Sequence, residues 1–144
     1  MSQFPHDYSV TASAGPEGSV SLASDGLPTL ESQPPTEFGG PGDKWSPEDL
    51  LIGAVADCFA LSFRAIAAAS KFSWNDLRCE VNGTLDREDR KVSFTAIDIK
   101  AHLVIPAGGD AERGKHLMEK AEQTCFITNS MIAESHLEAT VESA

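Results

Sequence analysis

The sequence predicts an α+β fold in which mainly antiparallel sheets pack against helices, and three observations indicate it. Segments in which apolar and polar residues alternate occur near the N-terminus and again in the middle of the chain, each arranged as a hairpin. A long apolar helical segment separates the two hairpins. An amphipathic helical segment and a last alternating segment follow them. This order of elements is typical of α+β proteins, and 144 residues with 41% hydrophobic content suit a single domain over residues 1–144.

The first hairpin is predicted over residues 8–14 and 19–23, because both segments alternate and the turn Gly15-Pro16-Glu17-Gly18 lies between them. Residues 24–44 follow and are rich in proline, glycine, serine and threonine. Such a composition predicts an irregular connection with at most a short edge strand.

The long helix is predicted over residues 46–70. Ser46 provides an N-cap, Pro47 occupies the first helical position, and Glu48 and Asp49 place acids in the first turn. The helix is apolar around nearly its whole circumference, which predicts burial on several sides. One thin sheet does not cover all of them, so we expect a partner subunit to complete the burial.

The second hairpin is predicted over residues 79–85 and 92–105, and the apolar pattern shifts by one residue near Ala96, which predicts a β-bulge there. A second helix is predicted from Asp110 to Cys125. Leu117, Ala121 and Cys125 recur at four-residue spacing, so Cys125 is expected to face inward. Residues 136–141 alternate again and form a candidate last strand.

Composition excludes several classes of function. The formal net charge is −11, with 22 acidic residues spread along the chain, and this argues against binding of nucleic acid. The N-terminal residues show no secretory signal, so a cytoplasmic location is expected. Asp57 and Arg64 interrupt the most apolar stretch, from Leu50 to Ala69, and this argues against a membrane span.

Three cysteines are the main candidates for chemistry: Cys58, Cys79 and Cys125. An odd count without a secretory signal does not indicate a structural disulfide framework, so a disulfide between two of them would be redox-active. From local sequence alone, Cys58 and Cys125 also fit small buried hydrophobes. Cys79 lies on an apolar strand face and is interpreted as core.

Two separated motifs resemble those of the OsmC/Ohr family, the osmotically inducible and organic hydroperoxide resistance proteins. The first runs from Gly39 to Leu51 and continues to Cys58-Phe59, similar to the family's Pro-Glu-x-Leu and x-x-Cys-Phe signature. The second, from Ala121 to Ser130, is similar to the family's Ala-x-x-x-Cys-Pro-x-Ser-Asn. The likeness in the order of elements extends over almost the whole chain, and implies an OsmC-like fold with sheets wrapped around central buried helices in an intertwined homodimer.

The resemblance also implies a thiol peroxidase. In such an enzyme the thiolate of Cys58 attacks an organic hydroperoxide, Cys125 resolves the sulfenic acid as a disulfide, and an external dithiol, lipoyl-type in this family, restores both thiols. No metal or organic cofactor is implied. A glutamate that matches Glu48 belongs to the family's site. Glu48 and Cys58 are ten residues apart, which is roughly 15 Å along one helix. If Glu48 serves Cys58, it would therefore serve the Cys58 of a second subunit. The alternative is that Glu48 is only a first-turn acid that interacts favourably with the helix dipole.

Two positions depart from the family pattern. Peroxidases of the family supply an arginine from the N-terminal segment, but Arg64 is the first arginine here and Pro16 stands at the matching position. Arg64 lies about 240° around the helix from Cys58, which leaves Lys44, His102 or His116 as candidate substitutes or as solvated surface residues. Phe126 replaces the proline after the second cysteine, so the local turn is less constrained.

Two functions therefore remain open from the sequence. One is an organic hydroperoxide peroxidase, which the cysteine pair favours. The other is a dimer of the same fold that binds a small lipid-like ligand or senses redox state, which the missing arginine favours. A cysteine hydrolase would need a histidine motif, and a zinc site would need more ligands than Cys58 and Cys125 supply.

Overall fold

A computed structural model describes residues 3–144, which form two compact units divided between Leu50 and Leu51. The division falls inside one helix and within the first of the two motifs that resemble the OsmC/Ohr family. The expectation of a single domain remains a prediction.

The first unit contains a small antiparallel sheet of three strands in the order β1-β2-β3. Their bounds are β1 Thr11–Ser13, β2 Val20–Ala23 and β3 Leu30–Ser32. The predicted first hairpin is thus confirmed with a shorter first strand, and β3 is the short strand allowed for in residues 24–44. A 3-10 turn, Thr36–Phe38, and a bridge between Ser32 and Trp45 follow.

The helix α1, Pro47–Ala69, begins where the sequence predicts because its N-terminus is capped locally. Ser46 Oγ accepts a hydrogen bond from the Asp49 N–H at 3.0 Å, while Asp49 Oδ2 accepts from the Ser46 N–H at 3.2 Å and from its hydroxyl at 2.9 Å. This reciprocal pattern is a capping box, which satisfies N–H groups that have no partner within the helix.

The second unit is built on a sheet in the order β4-β5-β6, comprising β4 Asp76–Glu88, β5 Lys91–Ile105 and β6 Glu134–Ser143. The strands β4 and β5 form the predicted second hairpin. Thr84 pairs with Ala96 but Leu85 pairs with Phe94, so Thr95 is an extra residue on β5, and the bulge predicted near Ala96 is confirmed.

The strand β6 runs parallel to β5, so the sheets are mainly but not entirely antiparallel. A crossover through helices connects these two strands, and such a connection is what parallel neighbours require. The first crossover helix is α2, Ala111–Gln123, capped by the Asp110 carboxylate. The second is the single turn α3, Phe126–Asn129, with Cys125 as its N-cap residue.

The predicted continuation of the second helix to Cys125 is wrong by two residues. The Thr124 hydroxyl donates a hydrogen bond to the carbonyl of Lys120 at 2.9 Å, and Thr124 takes a non-helical conformation that ends α2. The inward orientation predicted for Cys125 is nevertheless confirmed, since its side chain is fully buried.

The core of the second unit lies between one stripe of α1, alternate residues of β5, and α2. Its buried members are Val55, Phe59, Phe63, Ala67, Ile97, Ile99, Ala101, Leu103, Ile105, Leu117, Met118 and Ala121. The four members from α1 recur every four residues, which is the spacing of one helix face. This unit therefore covers a single stripe of α1, and the burial on several sides expected from sequence is not provided by residues 51–144 themselves.

By length and composition α1 is the one helix in residues 3–144 that could cross a membrane: an 18-residue stretch has a mean hydropathy of 1.8, and 22% of it is buried. A core helix of a soluble protein meets the same criterion, so the observation is weak evidence for a membrane span.

Candidate active site

Cys58 lies on α1 beside the buried stripe, and its side chain is half-buried. One turn further along the helix, the hydroxyl oxygen of Ser62 is 3.9 Å from the Cys58 sulfur. Residues four apart are neighbours on a helix surface, so this contact follows from the spacing in the sequence. When Cys58 is a thiolate, the Ser62 hydroxyl is the donor.

The N-terminal end of α3 supplies further donors to the same sulfur. The backbone N–H groups at the start of a helix have no partner within it, and the side chain of the N-cap residue Cys125 does not satisfy them. The backbone groups of Ile127 and Phe126 both lower the pKa of Cys58.

These donors determine the acidity of Cys58. Burial of the sulfur is the largest single influence and raises the pKa, but hydrogen bonds from the Ile127 N–H, the Cys125 thiol, the Ser62 hydroxyl and the Phe126 N–H together outweigh it. The pKa of Cys58 consequently lies below its ordinary value, because every one of these groups stabilises the charged form. A thiolate is the nucleophilic form of cysteine.

Cys125 is the one group among those that lower the pKa of Cys58 that is itself a thiol. It is fully buried, and both residues are free thiols in this structure. The structure therefore brings together the two cysteines singled out in the sequence, and it does so through the break between α2 and α3. Their catalytic roles remain a prediction.

Cys79, on β4, packs against the hydrophobic core of the second unit. Burial, and secondarily the negative charge that Cys125 can carry, raise the pKa of Cys79 to about 11. A thiol of that pKa is protonated at neutral pH, in agreement with its interpretation as a core residue.

Glu48 belongs to the first turn of α1, in the first unit. One carboxylate oxygen, Oε1, is buried and has no hydrogen-bond partner among residues 3–144. An unpaired buried carboxylate oxygen is unfavourable. The role of Glu48 in a composite site stays a prediction.

The candidate substitutes for the family arginine are engaged elsewhere. Lys44 is 3.9 Å from a Glu31 carboxylate oxygen, and His116 is 3.9 Å from a Glu119 carboxylate oxygen. His102 contacts the Thr140 hydroxyl at 2.6 Å and a Glu142 carboxylate oxygen at 3.1 Å. Within the part of the chain that the structure describes, no cation is among the groups that alter the pKa of Cys58.

Ser62 and the two α3 amides are not among the site groups predicted from the sequence. Ser62 carried a usable signal, since a hydroxyl four residues after a helical cysteine faces it. The amides carried none, because backbone N–H groups have no sequence signature and the sequence predicts no helix over residues 126–129. No cluster of three or more histidine, cysteine, aspartate or glutamate side chains suited to a metal occurs in residues 3–144.

A family model described as OsmC-like protein matches residues 40–140. An uncharacterized protein of Bacillus subtilis (strain 168), YmaD, is 27% identical over 113 residues, which are 75% of this chain and 75% of that protein.

Solved structures share the fold over nearly the full length. An OsmC-like protein of unknown function from Vibrio cholerae has a TM-score of 0.82 at 16% identity, with 97% of this chain and 100% of that chain covered. An organic hydroperoxide resistance protein from Legionella pneumophila has a TM-score of 0.75 at 26% identity, with 97% and 99% covered. Another Vibrio cholerae protein, a putative organic hydroperoxide resistance protein with captopril bound in one of its active sites, has a TM-score of 0.75 at 24% identity, with 96% and 93% covered.

Proposed function

Because this chain belongs to the OsmC-like protein family, we propose that it is a thiol-dependent peroxidase that reduces organic hydroperoxides through Cys58 and Cys125. The observation that carries the proposal is the surrounding of Cys58: hydrogen-bond donors that favour its thiolate, one of which is a second free thiol. The Legionella pneumophila relative described as an organic hydroperoxide resistance protein supports the same assignment.

The proposed reaction has three steps. The Cys58 thiolate attacks the terminal oxygen of the hydroperoxide, the O–O bond breaks, and the alkoxide takes up a proton to leave as an alcohol, with Cys58 oxidised to a sulfenic acid. The Cys125 thiol then attacks this sulfur, releasing water and forming a Cys58–Cys125 disulfide. An external dithiol, lipoyl-type by resemblance, reduces the disulfide by exchange and is itself oxidised to a disulfide.

The functional unit in this proposal is a homodimer. Leu51 and Leu61 on α1 are 38% and 50% exposed, which is unusual for the central helix of a compact fold, and a second copy would cover them. Glu48 of one subunit would then serve Cys58 of the other, and its unpaired buried oxygen would meet a donor there. A cytoplasmic location and the lack of any cofactor requirement belong to the same proposal.

The second candidate function is a dimer of this fold that binds a small lipid-like ligand or senses redox state. One observation favours it: no cation is among the groups that alter the pKa of Cys58 in the described residues. Neutral donors stabilise a thiolate less strongly than a charged one does, so turnover would be slow. The two candidates differ in whether peroxide is consumed catalytically.

The test is peroxide consumption in the presence of excess dithiol, measured for an alkyl hydroperoxide and for hydrogen peroxide. Cys58→Ser should abolish consumption, and Cys125→Ser should remove the disulfide intermediate, visible by mass spectrometry of the oxidised protein. Cys79→Ser is the matched control and should retain turnover. We expect faster consumption of the alkyl hydroperoxide, because the apolar surroundings of Cys58 favour an alkyl group. A folded wild-type protein that consumes neither peroxide would support the second candidate.

A further inference from the structure

We propose that Glu122 and Ser135 are positioning residues for the resolving step, because the hydrogen bond between them fixes the segment that carries Cys125. The inference rests on the proposed function, in which Cys125 resolves the oxidised Cys58. Glu122 and Ser135 act through the chain that lies between them and not on the reacting atoms themselves.

Cys125 lies in a short segment between α2 and β6. The helix α2 ends at Gln123 and β6 begins at Glu134, and the one element within residues 124–133 is the single turn α3. A helix of one turn is marginal by itself, because its few hydrogen bonds do not offset the cost of ordering the chain. The position of Cys125 therefore depends on how the two ends of this segment are held.

A hydrogen bond between side chains joins the two ends of the segment. The Ser135 hydroxyl donates to Oε2 of Glu122 at 2.9 Å, and the two residues are thirteen positions apart in the chain. Glu122 lies on the last turn of α2, three residues before Cys125, and Ser135 is the second residue of β6. A hydrogen bond to a carboxylate is stronger than one between neutral groups, so this bond restrains the end of α2 relative to the start of β6.

Other contacts of the segment maintain its shape and its burial. The buried Thr128 hydroxyl and the Asn129 N–H donate to the Cys125 carbonyl oxygen at 3.2 Å and 3.0 Å. These bonds join residues three and four positions apart, so they stay intact if the turn moves as one piece. Ile127 and Met131 pack against the hydrophobic core, but apolar burial is non-directional. The hydrogen bond across the ends of the segment adds the directional constraint.

The resolving step depends on such a constraint. The Cys125 thiol attacks the sulfur of the Cys58 sulfenic acid; an S–S bond forms, the S–O bond breaks, and the hydroxide leaves with the Cys125 proton as water. The Cys125 sulfur is oxidised and the Cys58 sulfur is reduced by the same amount. Disulfide geometry is specific, so the rate depends on how often the Cys125 sulfur occupies the attacking position.

Variants of the two residues can remove the hydrogen bond without burying an unpaired group. Glu122 and Ser135 both line two surface pockets, of about 490 and 530 Å³, so water can replace the lost partner. Ser135→Ala and Glu122→Ala each remove the bond, whereas Glu122→Gln keeps an oxygen that accepts from the Ser135 hydroxyl. Thr140→Val is the matched control, because it removes another hydroxyl of β6, five residues further along the strand, which contacts His102 at 2.6 Å.

The experiment follows a single oxidation of the reduced protein by one equivalent of cumene hydroperoxide. Mass spectrometry measures the Cys58 sulfenic acid, trapped with dimedone, and the Cys58–Cys125 disulfide. In Ser135→Ala and Glu122→Ala the sulfenic acid should form at the wild-type rate, and the disulfide about threefold to tenfold more slowly, the size of one hydrogen bond. The double variant should be no slower than either single variant, because all three lack the same bond. Glu122→Gln should retain most of the rate, and Thr140→Val should match the wild type.

Disulfide formation at the wild-type rate, or faster, in either single alanine variant would overturn the proposal. Equal slowing in Thr140→Val would also overturn it, since it would indicate a general loss of stability.

A parallel experiment replaces the peroxide with oxidised glutathione. The Cys58 thiolate displaces one glutathione thiolate, and Cys125 then displaces the second, which takes up the Cys125 proton as the disulfide forms. The expected slowing of this second displacement, in a protein that fails to consume peroxide, would uphold the positioning role and reject the peroxidase assignment. Failure to form a Cys58–Cys125 disulfide with either oxidant would overturn both.

Discussion

Cys58 on α1 and Cys79 on β4 have the same side chain, and both are partly buried in the second unit. Burial raises the pKa of each thiol, but the surroundings change the result in opposite directions. Cys79 lies on a strand face whose backbone groups are paired with β5, so burial and the charge on Cys125 raise its pKa to about 11. Cys58 has hydrogen-bond donors around it, including the Ser62 hydroxyl at 3.9 Å and the backbone of Ile127, and its pKa falls below the ordinary value.

Two differences separate the pKa values of the two thiols. Cys79 is the more deeply buried, whereas Cys58 has neighbouring hydrogen-bond donors, and each hydrogen bond to a thiolate offsets part of the cost of removing the charge from water. A paired strand offers no free N–H groups, whereas the first turn of a helix does. This difference between the two thiols can be tested by labelling, by stability and by substrate charge.

The largest expected effect is selective labelling of Cys58 over Cys79. At neutral pH a pKa of about 11 instead of 9.0 leaves about a hundredfold less thiolate on Cys79, partly offset by the greater nucleophilicity of a more basic thiolate. Iodoacetamide should therefore label Cys58 at least about tenfold faster than Cys79 at pH 7. Peptide mass spectrometry measures both rates in one sample. The control is the same reaction in guanidinium chloride, where the two rates should become similar; a preference that persists there would show that the fold does not cause it.

The second effect is a loss of stability at alkaline pH that depends on Cys79. The pKa of Cys79 is raised in the folded state, so its contribution to stability is fully present below pH 9 and is lost as the pH rises towards 11. After allowance for the partial exposure of the side chain, we expect the free energy of unfolding to fall by about 1 kcal/mol over this range. Urea unfolding at pH 8 and pH 11 measures this fall in the wild type and in Cys79→Ala. An equal fall in both proteins would assign the loss to other groups.

The smallest effect concerns the charge of the substrate. Neutral donors surround Cys58 and the chain carries a net charge of −11, so a hydroperoxide with a carboxylate should be repelled. We expect it to react about threefold more slowly than a neutral alkyl hydroperoxide of similar size at low salt, and the gap should narrow at high ionic strength. Stopped-flow measurements of Cys58 oxidation at two salt concentrations test this. Faster reaction of the carboxylate substrate would indicate that a cation lies near Cys58.

Much of the fold was predictable because its signals are local. The start of α1 at Ser46-Pro47 and the bulge near Ala96 each depend on a few neighbouring residues, and the structure confirms both. The direction of β6 was harder to predict from the sequence. Whether β6 runs parallel to β5 depends on the crossover through α2 and α3. The end of α2 was misplaced, because the stripe of Leu117, Ala121 and Cys125 continues past Thr124 although the helix does not.

The α+β class, the inward position of Cys125 and the family follow from residues read along the chain, because the motifs around Cys58 and Cys125 and the alternation of apolar residues are local patterns. Which thiol has the lowered pKa depends on the packing of distant segments. The donors to Cys58 come from Phe126 and Ile127, which are distant in the sequence, and they are backbone groups whose identity is the same in every residue except proline. Their effect arises from where α3 begins relative to α1, and the fold of the second unit establishes that position.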